Sequence, residues 1–216
     1  LITKDVIERS YATIIMSGTL NPTFMYKDIL GFSQAIEKEY KSPFPKNNRL
    51  NLIIPETTTK FSRRSKEEFE KIADICANLV NAVPGNTALF FPSYELRDKV
   101  YHFFNVKCKK TIFLEKAKLT KAEKEGMLER FKSYKDTGAV LLAAASGSFG
   151  EGIDLPGDFL KCVIIVGLPL QKPDLETKEL IDYYEEKFGQ GVNYGYIFPA
   201  ITKCLQNAGR CIRSEK

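Results

Sequence analysis

The sequence predicts an α/β protein with a doubly wound, mostly parallel sheet and helices on both faces. Two observations predict it. Short apolar runs without polar alternation recur at Thr87–Phe91, Thr111–Leu114, Ala139–Ala145 and Cys162–Val166. Strands buried on both faces read that way. Each run is also followed by a stretch of helical or turn character, the order expected of parallel crossovers. In such sheets ligands sit outside the carboxyl ends of the strands. That directs attention to Phe91–Tyr94, Ser146–Gly157 and Gly167–Pro173.

Taken in order, Ala12–Met16 reads as a buried strand closed by the turn residues Ser17, Gly18 and Thr19. Asn21-Pro22 reads as a cap with proline at the first helical position, opening a helix to about Leu30. Residues 41–49 hold two prolines and read as a connector; Leu50–Ile54 reads as an entry strand ended by Pro55. The polar segment 56–64 reads as a loop. Its Lys60, Arg63 and Arg64 are read as solvated, with phosphate contacts as the alternative.

Ser65-Lys66-Glu67-Glu68 is a capping-box pattern, and Phe69, Ile72, Cys76, Leu79, Val80 and Val83 form one apolar helix face. Pro84-Gly85 stops that helix. Ser93 is placed to cap a helix whose inward residues are Leu96, Val100, Phe103 and Phe104. Thr120–Glu123 is a second capping box, ahead of a helix through Met127, Leu128, Phe131 and Tyr134. Residues 174–187 read as an amphipathic helix, and Pro199 as the start of the last one.

Composition sets limits. The 216 residues are 44% hydrophobic and 27% charged, enough for a real core. A net charge of +5 is compatible with nucleic acid but does not require it. The five cysteines form no C-x-x-C, and with a single histidine there is no zinc set. Odd, unpaired thiols point to a reducing compartment, so the chain reads as cytoplasmic, or nuclear in a eukaryote, with no membrane partner. It opens without methionine and stops just after Arg213, so it reads as a piece of a longer protein.

The densest constellation is Ser146-Gly147-Ser148-Phe149-Gly150-Glu151-Gly152-Ile153-Asp154-Leu155-Pro156-Gly157. Glycines admit a close ligand, and N–H groups with serine hydroxyls suit phosphate oxygens. A ligand-free glycine-rich crossover is the alternative. The closing stretch is Gln206-Asn207-Ala208-Gly209-Arg210-Cys211-Ile212-Arg213. On an α-helix, positions 206, 210 and 213 fall at about 0°, 40° and −20°, so one amide and two guanidiniums share a face. Paired guanidiniums can hold the charge of a transferring phosphoryl group. No G-x-x-x-x-G-K-[ST] and no Asp-Glu pair of the Walker B kind accompany them. The nucleotide is therefore expected to be shared with another domain.

Together these stretches resemble the second motor domain of a superfamily 2 helicase of the XPD/DinG type, which implies a RecA-like fold. Ser17-Gly18-Thr19-Leu20 is similar to coupling motif III, at the end of the first motor domain. Gly85–Tyr94 resembles motif IV, Gly147–Asp154 motif V, and Gln206, Gly209, Arg210 and Arg213 motif VI. Gly167–Leu170 resembles the strand end that follows motif V.

The resemblance implies that Gln206 and Arg210 face the γ-phosphate and that Arg213 is the arginine finger. It implies that Glu151, Gly152, Asp154 and Gly209 line the nucleotide cleft. It also implies that Ser93, Tyr94, Ser146 and Ser148 lie along a DNA strand, where Tyr94 either stacks on a base or is an ordinary amphipathic tyrosine. Residues 1–48 are then a remnant of the first motor domain and a connector, and 49–216 the second motor domain.

The activity implied is an ATP-dependent, 5′-to-3′ DNA helicase acting in repair on single-stranded or forked DNA. ATP and Mg2+ would be held mainly by the first motor domain of the same polypeptide. An iron–sulfur cluster is possible in the intact protein but not from the cysteines of this chain. Two other readings stay open. One is a catalytically inactive nucleic-acid-binding module on the same fold. The other is a dinucleotide enzyme using residues 147–157, whose glycines at 147, 150, 152 and 157 lack the G-x-G-x-x-G order.

Overall fold

The computed structural model describes residues 2–150, 155, 157–170 and 173–212. Its order is α1 (Ile2–Arg9), α2 (Thr23–Leu30), α3 (Lys66–Ala82), β1 (Thr87–Phe91), α4 (Tyr94–Phe104), β2 (Thr111–Leu114), α5 (Lys121–Lys132), β3 (Ala139–Ala144), β4 (Cys162–Ile165), α6 (Leu175–Phe188) and α7 (Phe198–Ala208). Two compact units result. One comprises residues 1–42 with 170–202, the other 43–169 with 203–216.

The larger unit carries a four-stranded, all-parallel sheet in the order β2-β3-β1-β4. Register is continuous: Leu89 stands opposite Leu142 on one side and Ile164 on the other. Side chains alternate across the sheet. Leu89, Phe91, Val140 and Leu142 pack with α3 and α4 residues such as Val80 and Val100. Ala88, Phe90, Leu141 and Ala143 pack with Phe131 of α5 and with Phe149. Both faces are covered, as the non-alternating strands require.

The caps explain where these helices begin. Thr120 and Glu123 form the full reciprocal capping box of α5. Ser65 accepts from the Glu68 N–H, but the Glu68 carboxylate turns away and accepts from the Thr58 N–H at 2.5 Å. Asp174 caps α6 through the Thr177 N–H at 2.9 Å. At the amino end of the sheet the buried Asn86 amide accepts from Ala139 N–H and donates to the Phe131 and Phe159 carbonyls.

In the smaller unit, Phe24, Tyr184, Phe188, Tyr194 and Phe198 form an aromatic cluster. The Tyr194 hydroxyl donates to Asp28 Oδ2 at 2.6 Å.

Several expectations are corrected. Neither Ala12–Met16 nor Leu50–Ile54 is a strand. Ile14 and Met16 are 83% exposed and Ile53 94%. An apolar run becomes a strand only when a neighbour offers its ladder, and among the described residues neither run pairs with the sheet. Pro22 is itself the N-cap of α2, one position later than the Asn21-Pro22 pattern suggests. Phe103 is half-buried and does pack against the core, as expected.

Pro199 does not start the last helix: a π-helical turn over Asn193–Ile197 already runs into α7. Proline lacks an N–H and crowds the carbonyl four residues back, and a widened turn just upstream relieves both. The closing stretch is not one α-helix either. α7 ends at Ala208, and Gly209–Cys211 is a 3₁₀ turn. Glycine is a poor helix former and last turns commonly tighten, so Arg210 stands on the 3₁₀ turn and not on the α-helix that carries Gln206.

Candidate functional site

Three strand ends and one helix meet around residues 145–150. β3 ends at Ala144, and the chain turns through Gly147, whose N–H donates to the Ala144 carbonyl at 2.9 Å. Gly150 folds back so tightly that a β-carbon there would collide with the Ala145 carbonyl. Here the glycine is needed for space, as the sequence suggests.

On one side this turn is held from α7. Lys203 Nζ lies 3.0 Å from Ser146 Oγ. The buried Asn207 Nδ2 donates to the Ala145 carbonyl at 3.4 Å. Arg210 Nη2 donates to the Gly150 carbonyl at 2.8 Å. Lys203 and Asn207 lie one turn apart on α7 and Arg210 on the 3₁₀ turn beyond it, and together they bond the loop at Ser146, Ala145 and Gly150.

On the other side the turn is held from β2 by Glu115, which is fully buried. Its backbone N–H donates to the Leu142 carbonyl at 3.0 Å, continuing the β2–β3 ladder one step past the strand. Its carboxylate then takes the next N–H of β3, Ala144, at 2.9 Å, and the Phe149 N–H at 3.1 Å. Its backbone carbonyl accepts from the Arg97 guanidinium, which also bonds Asp98 Oδ1 at 2.6 and 2.9 Å.

Tyr94 completes the knot. Its hydroxyl bonds Glu115 and accepts from the Ser148 N–H, and Arg97 lies 4.9 Å from its ring centre. Burial first, and the Glu115 charge second, push the Tyr94 phenol above its ordinary range. A β-carbon on Gly147 would stand 2.5 Å from Glu115 Oε2 and 2.6 Å from Tyr94 Oη. Glycine is therefore demanded there too.

The structure brings together Ser146, Ser148, Tyr94, Arg210 and, through α4, Ser93. Ser93 caps α4 by accepting from the Leu96 N–H at 3.2 Å. Ser146 is exposed, and Ser148, Tyr94, Gly209 and Arg210 are half-buried. Gln206 is exposed near the end of α7. Ser17, Gly18 and Thr19 belong to the other unit, where the Thr19 N–H donates to Ser17 Oγ at 3.2 Å. Glu151, Gly152, Asp154 and Arg213 lie outside the described residues.

Sequence reasoning missed Glu115, Lys203 and Asn207. Glu115 had a signal: it is the carboxylate directly after an apolar parallel strand, at the edge where such sheets bind ligands. Among the described residues, no group of three or more His, Cys, Asp or Glu could hold a metal ion. No helix among them is long and apolar enough to cross a membrane.

Comparison with known proteins agrees with this architecture. The chain is 26% identical over 227 residues to the general transcription and DNA repair factor IIH helicase subunit XPD/RAD3 of Saccharomyces cerevisiae, covering 98% of this chain and 29% of that protein. It is 28% identical over 204 residues to the ATP-dependent DNA helicase DDX11 of Danio rerio, covering 81% and 23%. It thus spans less than a third of the length of these curated relatives.

A solved structure titled XPD_Helicase superposes with a TM-score of 0.57 at 23% identity, covering 72% of this chain and 27% of that one. The structure of S. tokodaii Xpd4 gives 0.53 at 16% identity, covering 72% and 30%. These likenesses show the RecA-like fold. Residues 76–216 match the family described as Helicase C-terminal domain. The chain therefore belongs to the helicase C-terminal domain family, of the kind found in XPD-type superfamily 2 helicases.

Proposed function

We propose that this chain supplies the second motor domain, residues 49–216, of an ATP-dependent DNA helicase that works in DNA repair. Residues 1–48 are assigned to the first motor domain and its connector. One observation carries the reading: Lys203, Asn207 and Arg210 are bonded to Ser146, Ala145 and Gly150. The groups assigned to phosphate and those assigned to the strand are thereby tied to one backbone segment, so a displacement of either is felt by the other.

Arg210 and Gln206 are assigned to the γ-phosphate and Arg213 to the arginine finger. A guanidinium beside an amide fits phosphoryl oxygens in charge and donor geometry. Glu151, Gly152, Asp154 and Gly209 are assigned to the nucleotide cleft, and Ser93, Tyr94, Ser146 and Ser148 to the strand. Ser17–Thr19 are assigned to coupling. The Walker A lysine, the Mg2+ ligands and any iron–sulfur cluster are assigned to the first motor domain. Movement is assigned as 5′ to 3′, on single-stranded or forked DNA, in the cytoplasm or, in a eukaryote, the nucleus.

The test is Arg213→Ala in the intact protein. Nucleotide binding is expected to persist while turnover falls about 10³- to 10⁵-fold, the usual worth of an arginine finger. Unchanged turnover refutes the assignment. Residues 1–216 alone are expected to bind single-stranded DNA weakly and salt-sensitively and to hydrolyse no ATP.

A further inference from the structure

The 58–64 loop carries an unusual exposed group. Phe61 is 82% exposed on a 3₁₀ turn over Phe61–Arg63, and Lys60 and Arg63 beside it are exposed as well. The Arg64 guanidinium carbon stands 5.3 Å from the Phe61 ring centre. Between Thr57 and Lys66 there is no carboxylate. Two carboxylates near its margins are already engaged, while the exposed Glu56 precedes the loop. Glu68 accepts from the Thr58 N–H, and Glu95 is paired with Lys99 at 2.5 Å while also feeling Arg64.

The loop is pinned. Arg64 Nε donates to the Thr59 carbonyl at 3.1 Å, and Lys60 N–H to Thr58 Oγ1 at 3.2 Å. Lys71 Nζ holds the Glu56 carbonyl at 2.6 Å. The Thr59 side chain packs so closely on Gly167 that no β-carbon fits there. Gly167 lies two residues past the end of β4, and Glu95 stands in the first turn of α4, which leaves the end of β1. The loop therefore sits at the carboxyl edge of the sheet, the edge that also bears Ser93, Tyr94, Ser146 and Ser148.

The geometry points to Phe61, flanked by Lys60, Arg63 and Arg64, as a base-stacking contact for single-stranded DNA. An aromatic ring beside a guanidinium offers a base a flat, cationic surface, and neighbouring cations suit the phosphates on either side. A loop already pinned to the sheet loses little conformational freedom on binding. The contact is sequence-tolerant, since every base has a π-face. It rests on the strand assignment made above and extends that strand from β3 and β1 toward β4.

The test uses the absence of tryptophan from this chain. Phe61→Trp introduces a single tryptophan, excited selectively over the tyrosines, at the proposed contact. Titration of the 1–216 chain with oligothymidylate is expected to quench it saturably, with quenching reversed by salt. In parallel, Phe61→Ala is expected to weaken binding of fluorescein-labelled oligothymidylate about 5- to 150-fold, and Phe61→Tyr to restore it. Lys60→Ala with Arg63→Ala is expected to flatten the salt dependence by about one to two ion equivalents.

Because Phe61 is exposed, an unchanged melting temperature checks that each variant folds. If the wild type binds oligothymidylate and Phe61→Ala binds equally, the contact is wrong and the strand assignment stands. If the wild type binds none at low salt, both are wrong.

Discussion

Replacing Glu115 tests most directly what shapes the loop between β3 and β4. In Glu115→Ala, the Ala144 and Phe149 N–H groups lose acceptors that were 2.9 and 3.1 Å away in a fully buried site. Each orphaned buried donor costs about 1–3 kcal/mol, so the variant should lose about 2–6 kcal/mol. Against a typical domain stability of about 5–15 kcal/mol, that approaches unfolding.

Glu115→Gln keeps the shape and one acceptor oxygen but points an NH2 at one of the two donors, for a loss of about 1–3 kcal/mol. Urea unfolding gives the free energies. Amide hydrogen exchange gives their location, with Phe149 and Ala144 expected to exchange faster than distant β1 amides. A Glu115→Gln variant losing less than about 0.5 kcal/mol, with unchanged exchange at both amides, would refute the clamp.

Other perturbations probe separate parts of the reasoning. Phe131→Ala removes a ring that is 1% exposed and packed against the sheet, and should lower stability by about 3–5 kcal/mol in the same unfolding assay. Gly150→Ala should weaken single-strand binding and destabilise the chain, because its β-carbon meets the rigid Ala145 carbonyl; wild-type behaviour in both assays would contradict the packing.

Tyr94 has a folded pKa raised above the ordinary 10.0. Its stabilisation is present below that value and lost as pH climbs through the folded pKa. The stability difference between wild type and Tyr94→Phe should therefore shrink as pH rises above the ordinary 10.0 and through the raised folded pKa. Burial pushes the Cys76 and Cys211 thiols up to about 12. Iodoacetamide near pH 8 should spare both in the native chain and label them in urea, as peptide mapping would show.

The sequence alone determined the sheet and its order of elements from residue 65 onward. Ala88–Phe91 and Ala139–Ala144 are apolar at every position, so any stable placement had to bury both faces. Ser93 and the Thr120/Glu123 pair carry their capping chemistry locally, within three or four residues. Gly147 and Gly150 were legible as a close-approach loop for the same reason: the requirement is written in the backbone itself.

What only the tertiary structure decided involves partners distant along the chain. Ile14 and Ile53 sit in runs as apolar as true strands, yet pairing depends on a neighbour that local pattern cannot reveal. Gln206 and Arg210 fall on one ideal helix by pattern, but the chain passes into a 3₁₀ turn at Gly209 between them. Glu115 meets Phe149 across 34 residues and Asn207 meets Ala145 across 62. A hydrogen bond needs its atoms within about 3 Å. Only the folded sheet, by bringing the end of β2 and α7 to either side of one turn, supplies that distance.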